Sequence, residues 1–159
     1  MKTLLIYHST SRRVIDLCEG AACGDVDVLA LAPRYRRGAL WNAVVGALRA
    51  LAGKGNRIEP LEVDLSQYDA IVLATSLRFC APSAECNEFL YRYNLAGREV
   101  TSLVFSRVRL FGRSMELMRK RIRLAGGVCR GIVCLSESTM PKAESTNVLA
   151  LAKLRTYAR

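Results

Sequence analysis

Long apolar segments are missing from this sequence of 159 residues. A helix that crosses a bilayer needs about 18 or more consecutive apolar residues, and no run here approaches that length. The apolar stretch at the N-terminus stops at His8 and is followed by no small-residue cleavage site, so a secretory signal peptide is not predicted. We therefore expect a cytoplasmic protein without a membrane span.

Metal-binding patterns are also missing. The chain has one histidine, His8, and none of its six cysteines forms a CxxC pair, which excludes the common zinc motifs. In a cytoplasmic protein the cysteines are expected to be reduced and to serve mostly as small core residues. A redox role stays open for Cys80 and Cys86, because both lie near the ligand site predicted below.

Acidic residues are scarce in the C-terminal part of the chain. Residues 95–159 hold thirteen basic and four acidic side chains, and the whole chain has a net charge of +10. Such a balance favours an acidic partner, nucleic acid or an anionic membrane surface, or else belongs to solvated helix faces. Nucleic acid is disfavoured, because aromatic residues are not interleaved with the basic ones.

What is present is a regular alternation of short apolar runs and helical stretches. Strands are predicted at residues 3–8, 26–32, 65–75 with its lead-in, 99–106 and 128–136. Helices are predicted at 12–22, 38–54, 83–93, 113–125 and 143–158, with Ser83 as an N-cap and Gly55 and Gly126-Gly127 as helix ends. This alternation predicts an α/β fold whose parallel sheet is covered by helices on both faces.

At this length we expect a single domain, residues 1–159, with a doubly wound five-stranded parallel sheet in the order 2-1-3-4-5. Ligands of such folds bind beyond the carboxyl ends of the strands, where the strand order reverses. The predicted ligand site is therefore formed by the loops at about residues 9–14, 75–83 and 106–113.

Two blocks of the sequence carry a resemblance to a known family. The first is KTLLIYHSTS at residues 2–11, and the second covers residues 64–106. The matching positions of the second block are Tyr68-Asp69, Thr75-Ser76, Pro82, Asn87, Phe89-Leu90 and Leu95-Ala96-Gly97-Arg98. On these residues the chain resembles the short-chain flavodoxins and the wider flavodoxin-like family. The run from Ser76 to Phe79 also resembles the flavodoxin-like protoporphyrinogen oxidases, which keep FMN.

The resemblance implies a non-covalently bound FMN and a role in electron transfer or in reducing a quinone-type acceptor, with no side chain acting in covalent catalysis. Whether the chain is an FMN-dependent oxidoreductase or an electron carrier stays open. The resemblance places the phosphate at the turn after the first strand and the ring between the two later loops. The implied FMN-binding residues are Ser9, Thr10, Ser11, Arg12, Arg13, Thr75, Ser76, Leu77, Arg78, Phe79, Ser106, Phe111 and Gly112.

The phosphate turn departs from the family pattern. The family's Ser/Thr-x-Thr-Gly-Asn-Thr falls on residues 9–14, where the hydroxyls of Ser9 and Ser11 remain but Arg12 replaces the glycine and Arg13 the asparagine. Glycine lets the backbone approach a phosphate closely, whereas arginine carries a Cβ and does not adopt positive φ freely. Two arginines can, however, add charge-assisted hydrogen bonds to a phosphate.

Several alternatives stay open at this point. The amides that begin the first helix can hold an anion, or Thr10 or Ser11 simply caps that helix. In the second case the chain is a flavodoxin-like scaffold that has lost flavin and serves as a binding or regulatory module. The helix at 113–125 is either an amphipathic surface helix or a docking surface for an acidic redox partner. His8 is interpreted as a structural residue at a strand end.

Overall fold

The computed structural model describes residues 2–34, 39–78, 81–107 and 112–137, with the backbone alone for residues 39–43 and 78. The predicted helix at 143–158 lies outside the described residues, as do Phe79, Cys80 and Phe111. Within the described part, no helix is both long enough and apolar enough to cross a bilayer.

The strands form one mainly parallel sheet. Their bounds are Thr3–His8 (β1), Val26–Ala30 (β2), Ala70–Arg78 (β3), Ala81–Pro82 (β4), Glu99–Ser106 (β5) and Val128–Ser136 (β6). The five longer strands are parallel and lie in the order β2-β1-β3-β5-β6. This is the predicted 2-1-3-4-5 order, and it is confirmed for the described part of the chain.

With the short strand β4, the described residues form six strands rather than the five predicted. It pairs antiparallel with the end of β3, Leu77 opposite Pro82 and Arg78 opposite Ala81. The parallel neighbours of β3 stop at Thr75 and Ser76, so the last two residues of β3 have a free edge that the returning chain covers. The proline is tolerated because an edge strand does not need every amide as a donor.

In the described part of the chain, four α-helices accompany the strands. Their bounds are Arg12–Glu19 (α1), Ala39–Leu51 (α2), Ala84–Arg92 (α3) and Gly112–Leu124 (α4), and a 3₁₀ turn at Leu65–Gln67 leads into β3. The predicted cap of α3 is confirmed, since the Ser83 hydroxyl accepts a hydrogen bond from the amide of Cys86. The predicted end of α2 at Gly55 is wrong: Gly53 makes the turn with φ of +70°.

The core lies on both faces of the sheet because side chains alternate along each strand. On one face Leu4 and Ile6 pack with Phe89 of α3 and Met118 of α4. On the other face Leu5 and Tyr7 pack with Val14 and Leu17 of α1. Covering helices on both faces explain why most residues of the strands are apolar.

A hydrogen bond secures α1 against β1. The Tyr7 hydroxyl donates to a carboxylate oxygen of Glu19 at 2.9 Å. Burial, together with this carboxylate, raises the pKa of Tyr7 to about 12, so the phenol keeps its proton at neutral pH. The contact holds the last turn of α1 against the sheet and thereby helps to set the position of the helix's first turn at the sheet edge.

Helix α4 presents cations to solvent and, unexpectedly, also buries one. Arg119, Lys120 and Arg123 are exposed, while Met118 and Ile122 are fully buried, so α4 is amphipathic. Arg121, however, is only 8% exposed, and its guanidinium donates to the side-chain oxygen of Asn87 in α3. The periodicity of α4 predicts the apolar stripe correctly but does not show that a neighbouring helix offers an acceptor to this arginine.

The cysteines are free thiols in the described part of the chain. Cys18 and Cys86 are buried core residues as expected, whereas Cys23 is exposed and Cys129 and Cys134 are partly exposed. Burial raises the pKa of the Cys86 thiol to about 12. A thiol that stays protonated at neutral pH is a poor nucleophile and redox group, so Cys86 is a packing residue.

Candidate functional site

The loops expected to form the ligand site leave the sheet at one edge. His8, the last residue of β1, pairs with Thr75 of β3, and Ser76 pairs with Phe105 of β5. Because these strands are parallel, the chain leaves all three at the same side of the sheet. The strand order reverses between β1 and β3, which is where ligands of doubly wound sheets bind.

Two serine hydroxyls join the turn after β1 to the end of β3. The hydroxyl oxygens of Ser9 and Ser76 lie 2.7 Å apart, a hydrogen bond in which either can donate. The amide of Ser11 donates to the Ser9 hydroxyl at 3.0 Å. This network holds the turn close to β3 and brings the two predicted site residues Ser9 and Ser76 together.

The start of α1 presents backbone donors. Ser11 occupies the N-cap position with extended φ and ψ, but its side chain makes no capping hydrogen bond, so the interpretation of its hydroxyl as a cap is wrong. The carbonyl of Ser11 accepts from the amides of Val14 and Ile15. The amides of Arg12 and Arg13 lie in the first turn of α1, where amides have no hydrogen-bond partner within the helix, so an anion at the helix start would meet backbone donors.

The arginine at the family's glycine position is not strained. Arg12 is the first residue of α1, and among the described non-glycine residues only Ala96 has positive φ. The guanidinium of Arg12 lies along the outside of the helix. Its Nε is 2.9 Å from Asp16 Oδ1, and the side chain is 80% exposed. Such an exposed ion pair contributes little stability, so the side chain can turn toward a bound anion at small cost.

Thr75 has a structural role at this edge. Its hydroxyl donates to the Ser83 hydroxyl and accepts from the Ser83 amide, both at 3.2 Å. The Ser83 hydroxyl in turn caps α3, and Thr75 is fully buried. The side chain therefore fastens β3 to the start of α3 and does not point to an open site.

Some of the remaining predicted site residues lie in the part of the chain that the structure describes, and others lie outside it. Leu77 is partly buried beside β4, Ser106 is 7% exposed at the end of β5, and Gly112 is exposed at the start of α4. The side chain of Arg78 and all of Phe79 and Phe111 lie outside the described residues. Their assignment to the flavin ring therefore stays a prediction.

A chain of polar contacts beside the turn was missed by the sequence reasoning. His8 Nδ1 lies 3.4 Å from Glu85 Oε2 in the first turn of α3. The side-chain nitrogen Nδ2 of Asn56 donates to Glu85 Oε1 at 3.0 Å. The guanidinium of Arg49, at the end of α2, donates to Asn56 Oδ1 at 3.2 Å. The only sequence signal for the contact between His8 and Glu85 was the acidic residue two positions after the Ser83 N-cap. In the described ranges no group of three His, Cys, Asp or Glu side chains is placed to hold a metal ion.

Comparisons with known proteins agree on the architecture. No protein-family model matches the sequence, and no curated protein matches it. Among solved structures, a flavoprotein from Lactobacillus acidophilus NCFM in complex with FMN is similar with a TM-score of 0.71 and 17% identity, covering 84% of this chain and 92% of that one.

Two further solved structures cover almost the whole chain. Oxidised flavodoxin 2 from Bacillus cereus has a TM-score of 0.54 and 17% identity, covering 99% of this chain and 100% of that one. General stress protein 14 from Treponema denticola, in complex with FMN, has a TM-score of 0.54 and 15% identity, covering 99% and 97%. These similarities establish the flavodoxin-like fold and confirm the architecture that the sequence predicted.

Proposed function

We propose that this chain binds FMN non-covalently at the carboxyl edge of its sheet and works as a redox protein, by electron transfer or by reducing a quinone-type acceptor. The observation that carries the proposal is the position of the Arg12 and Arg13 amides in the first turn of α1, directly after the hydroxyls of the 9–11 turn. The fold supports it, because two similar structures are FMN complexes.

The residues of the edge fit the parts of FMN. The phosphate would accept hydrogen bonds from the amides of Arg12 and Arg13, while the helix dipole and the two guanidiniums would add favourable charge. Ser9, Thr10 and Ser11 would supply hydroxyls around it. Bound flavin would supply the redox chemistry, and the protein would bind it, orient it and limit access of water.

The ring would lie between the loops that follow β3 and β5. Phe79 and Phe111 would contact its faces, Arg78 would stack on it, and the backbone of Ser76 and Leu77 would meet its polar edge. Thr75, Ser106 and Gly112 would shape these loops from beneath, as the burial of Thr75 and Ser106 supports.

Binding of FMN is tested by incubation and desalting. We expect the protein to retain yellow FMN, and to bind it about tenfold or more tightly than riboflavin, because only FMN offers a phosphate to the amides at the start of α1. Flavin fluorescence quenching measures both affinities. A colourless product after desalting would remove the redox proposal.

Reversal of one charge at the turn tests the phosphate site. We expect Arg12→Glu to weaken FMN binding about tenfold and to leave riboflavin binding unchanged, because the new carboxylate would repel the phosphate at the helix start. Arg123→Glu is the matched control: it makes the same charge change at an exposed position in the last turn of α4. Equal FMN affinity in the two variants would show that Arg12 plays no part in phosphate binding.

A flavin-free scaffold that acts as a binding or regulatory module is the second candidate. It is favoured because polar groups of the turn already have hydrogen-bond partners within the protein. The Ser9 hydroxyl is hydrogen-bonded to the Ser76 hydroxyl and accepts from the Ser11 amide. A phosphate would have to share or replace these bonds. The same desalting experiment separates the two candidates, because the scaffold would bind neither FMN nor riboflavin.

The basic face of α4 is proposed to meet an acidic redox partner. Arg119, Lys120 and Arg123 are exposed, and in the described part of the chain none of them has a carboxylate within ion-pair distance. Unpaired surface cations of this kind steer an acidic protein toward the face that carries them. A cytoplasmic location remains part of the proposal.

A further inference from the structure

The one histidine of the chain lies against a carboxylate with little water around either group. His8 Nδ1 is 3.4 Å from Glu85 Oε2, and the two side chains are 13% and 10% exposed. Solvent and salt screen such a contact weakly. An imidazolium at His8 would therefore interact with the Glu85 carboxylate more strongly than an exposed ion pair does.

Glu85 is held from its other side as well. Its second oxygen accepts a hydrogen bond from Asn56, and Asn56 accepts one from Arg49. Glu85 also lies in the first turn of α3, where the helix dipole favours negative charge. These contacts fix the position of the Glu85 side chain beside the imidazole.

Several ionisable groups come to this part of the edge from the neighbouring elements. On the surrounding elements they are Glu85 and Glu88 of α3, Arg49 and Lys54 at the end of α2 and just beyond it, Arg34 and Arg57, whose backbones are hydrogen-bonded to each other beside the Pro33–Ile58 bridge, and Arg12 and Arg13 at the start of α1. The backbone of Arg78 ends β3, next to the strand of His8. Glu85 contacts the imidazole directly, and Arg49 reaches Glu85 through Asn56.

The pair lies next to the turn that would hold a phosphate. His8 directly precedes Ser9, and consecutive Cα atoms are about 3.8 Å apart. The imidazole therefore belongs to the residue from which the turn starts. A charge bound at the turn acts electrostatically on His8.

We propose that His8 takes up a proton when the edge binds a phosphate-bearing ligand, with Glu85 as its counter-charge. With a neutral imidazole the pair has a charge of −1, and Glu85 repels an incoming dianion. With an imidazolium the pair is neutral, and that repulsion disappears. The inference rests on the proposed function and names a proton-linked control of the same site.

The direction of the pH dependence follows from the two charge states. Ligand affinity is highest at a pH where His8 already carries its proton and falls as the pH rises through the titration of the imidazole. Above neutral pH the phosphate of FMN is already a dianion. A further loss of FMN affinity above neutral pH therefore comes from titration of a group on the protein.

The single histidine makes the first measurement unambiguous. In the ligand-free protein, the imidazole proton signals are followed by NMR across the pH range. We expect Glu85→Gln to move the midpoint of this titration to lower pH, because the variant loses the negative charge but keeps a polar side chain of similar size. An unchanged midpoint would overturn the proposal.

Proton uptake on binding is the second measurement. FMN is titrated calorimetrically into the protein at slightly alkaline pH, in buffers of different ionisation enthalpy. We expect a measurable fraction of a proton to be taken up per FMN by the wild type, none by His8→Gln, and none with riboflavin. In parallel, the FMN affinity of the wild type should fall several-fold more between pH 7 and 8.5 than that of His8→Gln.

The outcomes separate this inference from the proposed function. If FMN binds and the wild type and His8→Gln take up the same number of protons, the inference fails and FMN binding stands. If FMN does not bind in the desalting experiment, the proposed function fails and the inference is overturned with it. Uptake that depends on both His8 and the phosphate supports the inference.

Discussion

Replacement of Phe89 by alanine is expected to lower the free energy of unfolding by about 3–5 kcal/mol. Phe89 is fully buried in the larger core cluster, where it meets side chains from the sheet and from α4. Its ring also stacks on Tyr93, with the ring centroids 5.3 Å apart. Alanine would leave a cavity that close-packed neighbours cannot fill. Urea unfolding followed by circular dichroism measures the change.

A second aromatic on the same helix provides the control. Tyr91 is 62% exposed, and its hydroxyl donates to the carbonyl of Gly53 at 2.9 Å. We expect Tyr91→Ala to lower the unfolding free energy by less than about 1 kcal/mol, the usual contribution of one exposed hydrogen bond. Equal losses in the two variants would mean that α3 does not pack with Phe89 inward.

Replacement of Gly55 by alanine is expected to cost about 1–3 kcal/mol of unfolding free energy. A Cβ at this position would lie 2.9 Å from the Cα of Glu88, and a helix backbone cannot move away as a flexible side chain can. The neighbouring residue Asn56 donates from its amide to the carbonyl of Ala84 at 3.0 Å. The segment would therefore have to shift from α3 and weaken the contact between Asn56 and Glu85.

Gly46→Ala is the matched control for this substitution. Gly46 lies inside α2, and a Cβ there meets none of the described atoms within 4 Å. We expect alanine to raise the unfolding free energy by about 0.5–1 kcal/mol, because it restricts the unfolded chain and favours the helix. Thermal unfolding of both variants measures the two changes in unfolding free energy, which we expect to have opposite signs. A stabilised Gly55→Ala variant would contradict the close approach of the two segments.

Much of the site could be located from the sequence but not described by it. The loops after the first, third and fourth predicted strands do leave one edge of the sheet, and Ser9 and Ser76 do meet there. The role of Thr75 was missed, because a hydroxyl in a loop pattern does not show whether it faces a ligand or a neighbouring cap. At Arg12 the structure answers one part of the question that the missing glycine raised, because that residue begins a helix and needs no positive φ.

Contacts between distant parts of the chain account for the other misses. Nothing in the spacing of α4 reveals that Arg121 reaches Asn87, and no local pattern shows that His8 reaches Glu85. The short strand β4 arises because β3 outlasts its parallel neighbours, which depends on the register of three strands.

The order of helices and strands, the doubly covered parallel sheet and the 2-1-3-4-5 strand order were determined by the sequence alone. Apolar periodicity sets each element, and right-handed crossovers between parallel strands leave few ways to arrange them. Only the tertiary structure decided which polar groups meet at the sheet edge. Hydrogen bonds and ion pairs act over about 3–4 Å, so they depend on the packing of several elements at once and leave no periodic signal in the chain.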